Sequence, residues 1–180
     1  MAVRPIRCYP DPVLRQSCAP VERFDEALRR LAADLVETMH AAPGVGLAAP
    51  QVGEAVRLAV VDLSVGEDPG QLHVLVNPAI LSAAGSAVEV EGCLSIPELS
   101  EKVERPATVV VMAFDLERRP IELEGGGWLA RALCHELDHL DGVLFIDRLR
   151  GLRRERMRRQ LRRWGEQREA IACDAGSGGL

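Results

Sequence analysis

Residues 135–142 read HELDHLDG, with two histidines four positions apart and Glu136 beside the first. On an α-helix, positions i and i+4 lie one turn apart on the same face, so His135 and His139 can reach one cation together. Glu136 then lies about 100° round the helix axis, next to the cation but off the line of the ligands. This HExxH pattern is typical of metallohydrolases, in which the glutamate takes a proton from water.

The residues before the motif indicate a helix in the centre of the fold. Residues 128–134 read WLARALC and are mostly apolar, which predicts that the helix is buried and its histidines partly so. Buried imidazoles need polar partners, and a metal ion is one of them. The alternative is a surface helix that carries the pattern by chance. Two histidines alone are too few, because a hydrolytic metal takes three protein ligands and one open position.

Length and composition predict one globular domain. The chain has 180 residues, of which 47% are hydrophobic, enough for a core that stands alone. We expect a single catalytic domain over residues 1–170, in which residues 151–170 form a basic C-terminal helix, followed by a disordered tail over residues 171–180 that is rich in glycine and serine from residue 175. No signal-peptide core and no apolar run of membrane-spanning length occurs, so the expected location is cytoplasmic, without membrane contact.

The cysteine content and the distribution of charge indicate the compartment and the partners of the protein. The five cysteines lack the spacing of a disulfide scaffold, which fits a reducing compartment. The net charge of −5 gives no general attraction to nucleic acid, and no DNA partner is expected. Residues 151–170 nevertheless contain eight arginines and three glutamates, so a locally basic segment belongs to an acidic chain.

The order of predicted elements favours an α+β fold. An amphipathic N-terminal helix is expected from an N-cap at Asp25 to Ala41, because leucines recur there at helical spacing. Residues rich in β-branched and aliphatic side chains predict strands, and Asn77 and Pro78 predict a turn. We therefore expect mixed antiparallel strands packed around a central HExxH helix rather than repeated βαβ units. The predicted strands cover residues 57–63, 73–76, 108–114 and 121–124.

Two stretches upstream could complete the site. Residues 44–53 read GVGLAAPQVG, which is not a phosphate loop, and their small side chains would let the backbone approach a ligand while Gln51 donates from its amide. A tight loop with a surface glutamine is the alternative. Residues 91–97 read EGCLSIP; a lone cysteine is usually a small buried hydrophobe, but the Cys93 thiolate would also make a third ligand beside two imidazoles.

Together these three stretches closely resemble the signature motifs of bacterial peptide deformylases, in the same order and at similar spacing. The opening YPDP at residues 9–12 and the Asn77-Pro78 pair are also similar to that family. The resemblance covers roughly residues 4–165. It implies an enzyme that removes the formyl group from the N-terminal formyl-methionine of nascent polypeptides and releases formate.

The resemblance also implies roles for particular residues. Cys93, His135 and His139 would bind one divalent metal ion, natively Fe(II), with Zn, Ni or Co able to replace it. Glu136 would act as general base for the attacking water and then as acid for the leaving amine. The side chain of Gln51 and the backbone N–H of Leu94 would hold the formyl oxygen as it becomes an oxyanion.

A substrate pocket follows from the same matching. Val45 and Gly46 would contact the substrate, and Trp128, Arg131 and Ala132 would form the methionine pocket. An apolar wall would suit methionine better than an arginine, so we expect the stem of Arg131 to pack on the substrate while its guanidinium reaches solvent or an acid.

The surroundings of the motif include one expected ion pair and two departures from the family. Asp138 is expected to support the metal-binding histidines, because such imidazoles usually donate their other N–H to a carboxylate or carbonyl, and it is expected to pair with Arg105. Cys134 stands where many members have glutamine, which puts the local hydrogen bonding in doubt. Ser100 stands where some have an arginine that holds the substrate backbone, which puts the strength of peptide binding in doubt.

Two other functions share part of the pattern. A zinc endopeptidase uses the same HExxH helix but usually takes its third ligand downstream, where this chain has no histidine after His139 and only acids such as Glu155. The second alternative is a non-catalytic metal-binding module.

The basic segment, residues 151–170, is expected to bind the ribosome near the exit tunnel, through ribosomal RNA. The alternative there is an ordinary solvated helix.

Overall fold

Antiparallel strand pairing organises most of this computed structural model, which describes residues 2–42 and 44–176, with side chains described as far as residue 165. The chain divides between Phe145 and Ile146 into two compact units. Seven strands lie in the first unit: β1 Gly46–Ala48, β2 Leu58–Asp62, β3 Leu72–Ala84, β4 Ala87–Cys93, β5 Ile96–Arg105, β6 Thr108–Phe114 and β7 Pro120–Gly126.

These strands form two separate antiparallel sheets. Five of them are arranged in the order β1-β2-β3-β6-β7, and among the described residues β4 pairs with β5 alone. Strand β2 reads LAVVD and is buried throughout, as expected for a strand covered on both faces. The predicted α+β class with antiparallel strands is confirmed.

Strand β3 corrects the predicted turn at Asn77 and Pro78. The strand runs through both residues, and its pairing with β6 shifts register between Val76 and Ala79. Asn77 adopts a left-handed φ of 51°, which asparagine tolerates better than most residues. Its side chain accepts from Val21 N at 2.8 Å and donates to Val21 O at 2.9 Å, so a bulge held by these bonds replaces the turn.

Helix α1, Glu26–Ala41, packs one apolar face on the large sheet. Asp25 caps its first turn by accepting from Ala27 N at 3.1 Å and Leu28 N at 3.2 Å. Leu28, Leu35 and Met39 are buried in one cluster with residues of β1, β2 and β3.

Helix α2, Gly127–Leu140, carries the HExxH motif. It lies against β1, β2, β6 and β7. Ala130, Leu133 and Leu137 share an apolar cluster with Val61 and Val111. Every residue from 130 to 140 is buried, so the histidines are presented from a closely packed helix.

The second unit contains helix α3, Gly151–Gly176. Met157, Leu161 and Trp164 are buried and follow helical spacing, while the arginines described between residues 151 and 165 are exposed. The helix continues past the predicted boundary at residue 170, and residues 177–180 of the predicted tail lie outside the described residues. Within the described ranges, no helix combines the length and apolar character that a bilayer crossing requires.

Candidate active site

Three potential metal ligands from two distant stretches converge. Cys93 ends β4, and His135 and His139 lie one turn apart on α2. The Cys93 Sγ atom is 3.2 Å from His139 Nε2, which is 3.2 Å from His135 Nε2. All three ligand atoms lie within 4.8 Å of one another.

This arrangement fits one divalent ion. Metal–nitrogen bonds of about 2.0–2.1 Å and metal–sulfur bonds of about 2.3 Å put tetrahedral ligand atoms roughly 3.3–3.6 Å apart. The two shorter separations in this structure are close to that range. A thiolate with two imidazoles also suits zinc and iron better than the hard ions that prefer oxygen.

The β4–β5 connection directs the thiol of Cys93. The pairing of β4 with β5 shifts register between Gly92 and Cys93, so the strand bends as it reaches the ligand. Beyond the bend, Ser95 N donates to Cys93 Sγ at 3.4 Å. The local backbone therefore supports the sulfur that the motif supplies.

A carboxylate that the sequence reasoning missed orients the first histidine. Glu91 Oε1 accepts a hydrogen bond from His135 Nδ1 at 2.6 Å, which leaves Nε2 to face the other ligands. The sequence contains a signal for this role, because Glu91 lies two residues before the candidate ligand Cys93. Burial opposes the charge on Glu91, but hydrogen bonds from His135 and Arg105 outweigh it and lower its pKa to about 2.

Two buried arginines surround Glu91. Arg105 donates to Glu91 Oε1 at 2.6 Å and to Asp138 Oδ2 at 2.6 Å, which confirms the predicted Asp138–Arg105 pair. Although burial disfavours its charge, bonds with Glu91 and Asp138 raise the pKa of Arg105. Arg131 donates to Glu91 Oε2 at 2.8 Å, so its guanidinium reaches an acid.

Glu136 is buried beside the ligands. Its Oε2 atom has no hydrogen-bond partner among the described residues, and Oε1 lies against Gly46, where a Cβ atom would overlap it. Burial raises the pKa of Glu136 to about 7. Glycine at position 46 therefore makes room for the carboxyl group.

Gln51 is held in one orientation beside Cys93. Its Oε1 atom accepts from Ala48 N at 2.9 Å. Its Nε2 atom donates to Ser95 Oγ at 3.1 Å and lies 3.7 Å from Cys93 Sγ. The amide N–H group thus faces the candidate metal ligands. Ser95 is a second residue that the sequence reasoning did not single out.

A cavity of about 610 Å³ brings the predicted residues together. His139 is the one predicted site residue that does not line it. Trp128 is 61% exposed, whereas Arg131 is 5% exposed and presents no free charge. Ser100 lines the cavity, whereas Cys134 packs in the apolar cluster that α2 forms with Val61 and Val111. The predicted residues that line the cavity are Val45, Gly46, Gln51, Cys93, Leu94, Trp128, Arg131, Ala132, His135 and Glu136.

The site combines three ligand atoms that can share one ion with a buried carboxyl group that can exchange a proton. This combination is typical of metal-dependent hydrolases. Comparison with known proteins specifies the family. The sequence profile of the polypeptide deformylase family matches residues 3–155. The chain belongs to this family of metal-dependent hydrolases, which remove the N-formyl group from nascent peptides during protein biosynthesis.

Individual relatives agree with this assignment. A peptide deformylase of Brucella suis biovar 1 (strain 1330) is 47% identical over 169 residues, which cover 93% of this chain and 97% of the relative. The crystal structure of a peptide deformylase from Legionella pneumophila is 43% identical, with a TM-score of 0.85 over 93% of this chain and 98% of that one. A peptide deformylase of Arabidopsis thaliana is 35% identical, with a TM-score of 0.87 over 95% and 93% of the two chains. The zinc endopeptidase and non-catalytic alternatives are not favoured.

Proposed function

We propose that Cys93, His135 and His139 hold one divalent metal ion, Fe(II) in the native protein, and that this site deformylates formyl-methionine at the N-terminus of nascent polypeptides. The convergence of the three ligand atoms within 4.8 Å is the observation that carries the proposal. Zn, Ni or Co can occupy the same site, because thiolate and imidazole ligands accept all of these ions. When bound, the ion supplies Lewis-acid chemistry by polarising the formyl carbonyl and lowering the pKa of water.

Glu136 is the proposed general base and acid. Its carboxylate takes a proton from the attacking water and returns it to the amine nitrogen that leaves. The side chain is buried, and its Oε2 atom has no competing partner among the described residues. One residue can serve both steps because it stays beside the reacting carbon throughout.

Gln51 and Leu94 are the proposed donors to the formyl oxygen. The Nε2 atom of Gln51 faces the ligand group because Ala48 N fixes the other end of the amide. The Leu94 backbone N–H donates to no acceptor among the described residues. Donors held in place before the reaction stabilise a developing oxyanion without further reorganisation.

The methionine side chain is proposed to lie in the 610 Å³ cavity. Val45 and Gly46 contact the substrate next to the ligands, and Trp128 and Ala132 supply apolar surface. Arg131 contributes its aliphatic stem, since its charge is neutralised by Glu91.

Replacing Gln51 with alanine is expected to lower kcat/KM for a formylated peptide by about 10²–10³-fold, because one oxyanion donor is lost. Metal content should stay at the wild-type level, since Gln51 is not a ligand. Steady-state kinetics and metal analysis of the same preparation measure the two quantities. Gln71→Ala, which changes an exposed glutamine outside the cavity, is the matched control and should leave both unchanged. Loss of metal in Gln51→Ala would place this residue with the metal-binding group instead.

The proposal extends to the way in which the chain is organised around the site. We infer that α2 is the element around which the strands are arranged, with α1 as the N-terminal amphipathic helix, and that residues 1–170 act as one catalytic domain. The substrate implies a cytoplasmic location, where formylated chains are synthesised.

The basic helix α3 is proposed to dock the enzyme on ribosomal RNA near the exit tunnel. Its buried stripe of Met157, Leu161 and Trp164 leaves the arginines on exposed positions. Clustered cations of this kind neutralise backbone phosphates and release counterions. Docking would hold the site where formylated N-termini emerge.

Changing Arg158, Arg162 and Arg163 together to glutamine tests this docking. We expect the variant to dissociate from ribosomes at a lower salt concentration than wild type. The slope of log affinity against log salt concentration should become less steep by roughly two to three, because three phosphate contacts are lost. Co-sedimentation over a salt series gives the measurement. A variant with Arg23, Arg30 and Arg119 changed to glutamine carries the same loss of charge at exposed positions that are not part of α3. Equal binding of both variants would indicate an ordinary solvated helix.

A further inference from the structure

The two parts of the metal site lie on elements that share no backbone pairing. Cys93 belongs to the β4–β5 sheet, whose strands pair only with each other among the described residues. The histidines lie on α2, which packs mainly on the five-stranded sheet. Some other contact must therefore fix the distance between the thiol and the imidazoles.

We propose that four buried charged residues, here called the ion clamp, hold the β4–β5 sheet against α2 and so set the position of the Cys93 thiolate. The ion clamp consists of Glu91, Arg105, Arg131 and Asp138. The inference rests on the proposed metal site, and it gives Arg131 a positioning role distinct from its place in the pocket wall.

Arg131 joins α2 to both strands of the small sheet. Its Nη1 atom donates to Glu91 Oε2 at 2.8 Å, and its Nη2 atom donates to Ala87 O and Val103 O at 3.1 Å each. Ala87 opens β4 and Val103 lies in β5. A planar guanidinium can bond to three acceptors in fixed directions, which a lysine or an apolar side chain cannot do.

Arg105 makes the reverse connection, from β5 to α2. Its Nη1 atom donates to Asp138 Oδ2 on α2 at 2.6 Å. Its Nη2 and Nε atoms donate to Glu91 Oε1 at 2.6 Å and Oε2 at 3.1 Å. The sheet and the helix are thus tied in both directions, with Glu91 at the centre.

The ion clamp also reaches a metal ligand directly. Glu91 Oε1 accepts from His135 Nδ1 at 2.6 Å, so the carboxylate that binds both arginines also orients an imidazole. All four members are at most 6% exposed, and the two arginines balance the two acids in charge. Buried ion pairs lose most when one partner is removed, because the remaining charge stays desolvated. Their directional bonds fix relative position better than apolar contact does.

Cobalt binding separates this positioning role from a pocket role. The test compares wild type with Arg131→Met, which keeps most of the stem, and Arg131→Lys, which keeps the charge. Co(II) affinity is measured by competition with a chelator, and the sulfur-to-cobalt charge-transfer band reports whether Cys93 is bound. We expect Arg131→Met to lose about 10–100-fold in affinity with a weakened sulfur band, as is typical of changes to residues that support ligands. Arg131→Lys should have a Co(II) affinity between those of wild type and Arg131→Met.

Arg119→Met is the matched control, because Arg119 pairs with Asp115 and Glu117 on an exposed turn. It should bind Co(II) as wild type does. Wild-type affinity and an intact sulfur band in the Arg131 variants would overturn the ion clamp, as would a change confined to KM for the peptide. If Arg131→Met does not fold, Arg131→Lys and Arg105→Lys decide between the same outcomes. A wild-type protein without the sulfur band would instead reject the proposed metal site itself.

Discussion

Replacing Glu136 with glutamine is expected to reduce kcat/KM for formylated peptides by about 10²–10⁴-fold, the usual contribution of a positioned acid–base group. Glutamine keeps the shape of the side chain but cannot accept a proton from water or return one to the leaving amine. Gly46, which lies against this carboxyl group, has no side chain that could take over the role. Steady-state release of formate measures the loss.

Metal content distinguishes this loss from damage to the site. Glu136→Gln should keep the wild-type amount of metal, because its carboxyl group is not one of the three converging ligands. Glu122→Gln, on an exposed position of β7, serves as the control for removal of a negative charge and should retain full activity. Activity within a few-fold of wild type in Glu136→Gln would contradict the assigned role.

Replacing Cys93 with alanine is expected to weaken metal binding by more than about 100-fold, since loss of a ligand should exceed the 10–100-fold typical of supporting residues. Only two imidazoles would remain, which is too few for a stable hydrolytic site. Wild-type protein purified without oxygen should contain about one divalent ion per chain, mostly iron, and Cys93→Ala should contain almost none. Elemental analysis of both proteins makes the comparison.

Cys8→Ala controls for the removal of a thiol, because Cys8 lies outside the ligand group. It should retain the wild-type metal content. Full metal occupancy in Cys93→Ala would favour a site that takes its third ligand elsewhere, as a zinc endopeptidase does.

The parts of the site that short-range patterns encode could be predicted from the sequence. The spacing of His135 and His139 follows from helix geometry alone. Cys93 and Gln51 were singled out because each lies in a short stretch that resembles a motif of the deformylase family. Strand β6 was predicted with its correct bounds, since its apolar residues run without interruption between polar neighbours.

The remaining features depend on contacts between distant residues. Nothing near Arg131 in the sequence indicates that Ala87 and Val103 supply carbonyl acceptors, because these residues meet it only after β4 and β5 pair. Glu91 was similarly overlooked, since its role depends on three partners from two other elements: His135 and Arg131 on α2, and Arg105 on β5. The bulge at Asn77 was predicted as a turn because the local residues favour turns, whereas bonds to Val21 keep the strand continuous.

Formate release from formyl-Met-Ala-Ser tests the central claim most directly. The protein should be loaded with Fe(II) or Co(II) under anaerobic conditions and compared with Glu136→Ala loaded in the same way. We predict stoichiometric release of formate and free methionyl peptide by wild type, with a rate at least about 10²-fold above that of the variant. Release no faster than by Glu136→Ala would contradict the proposal that this site is a deformylase centre.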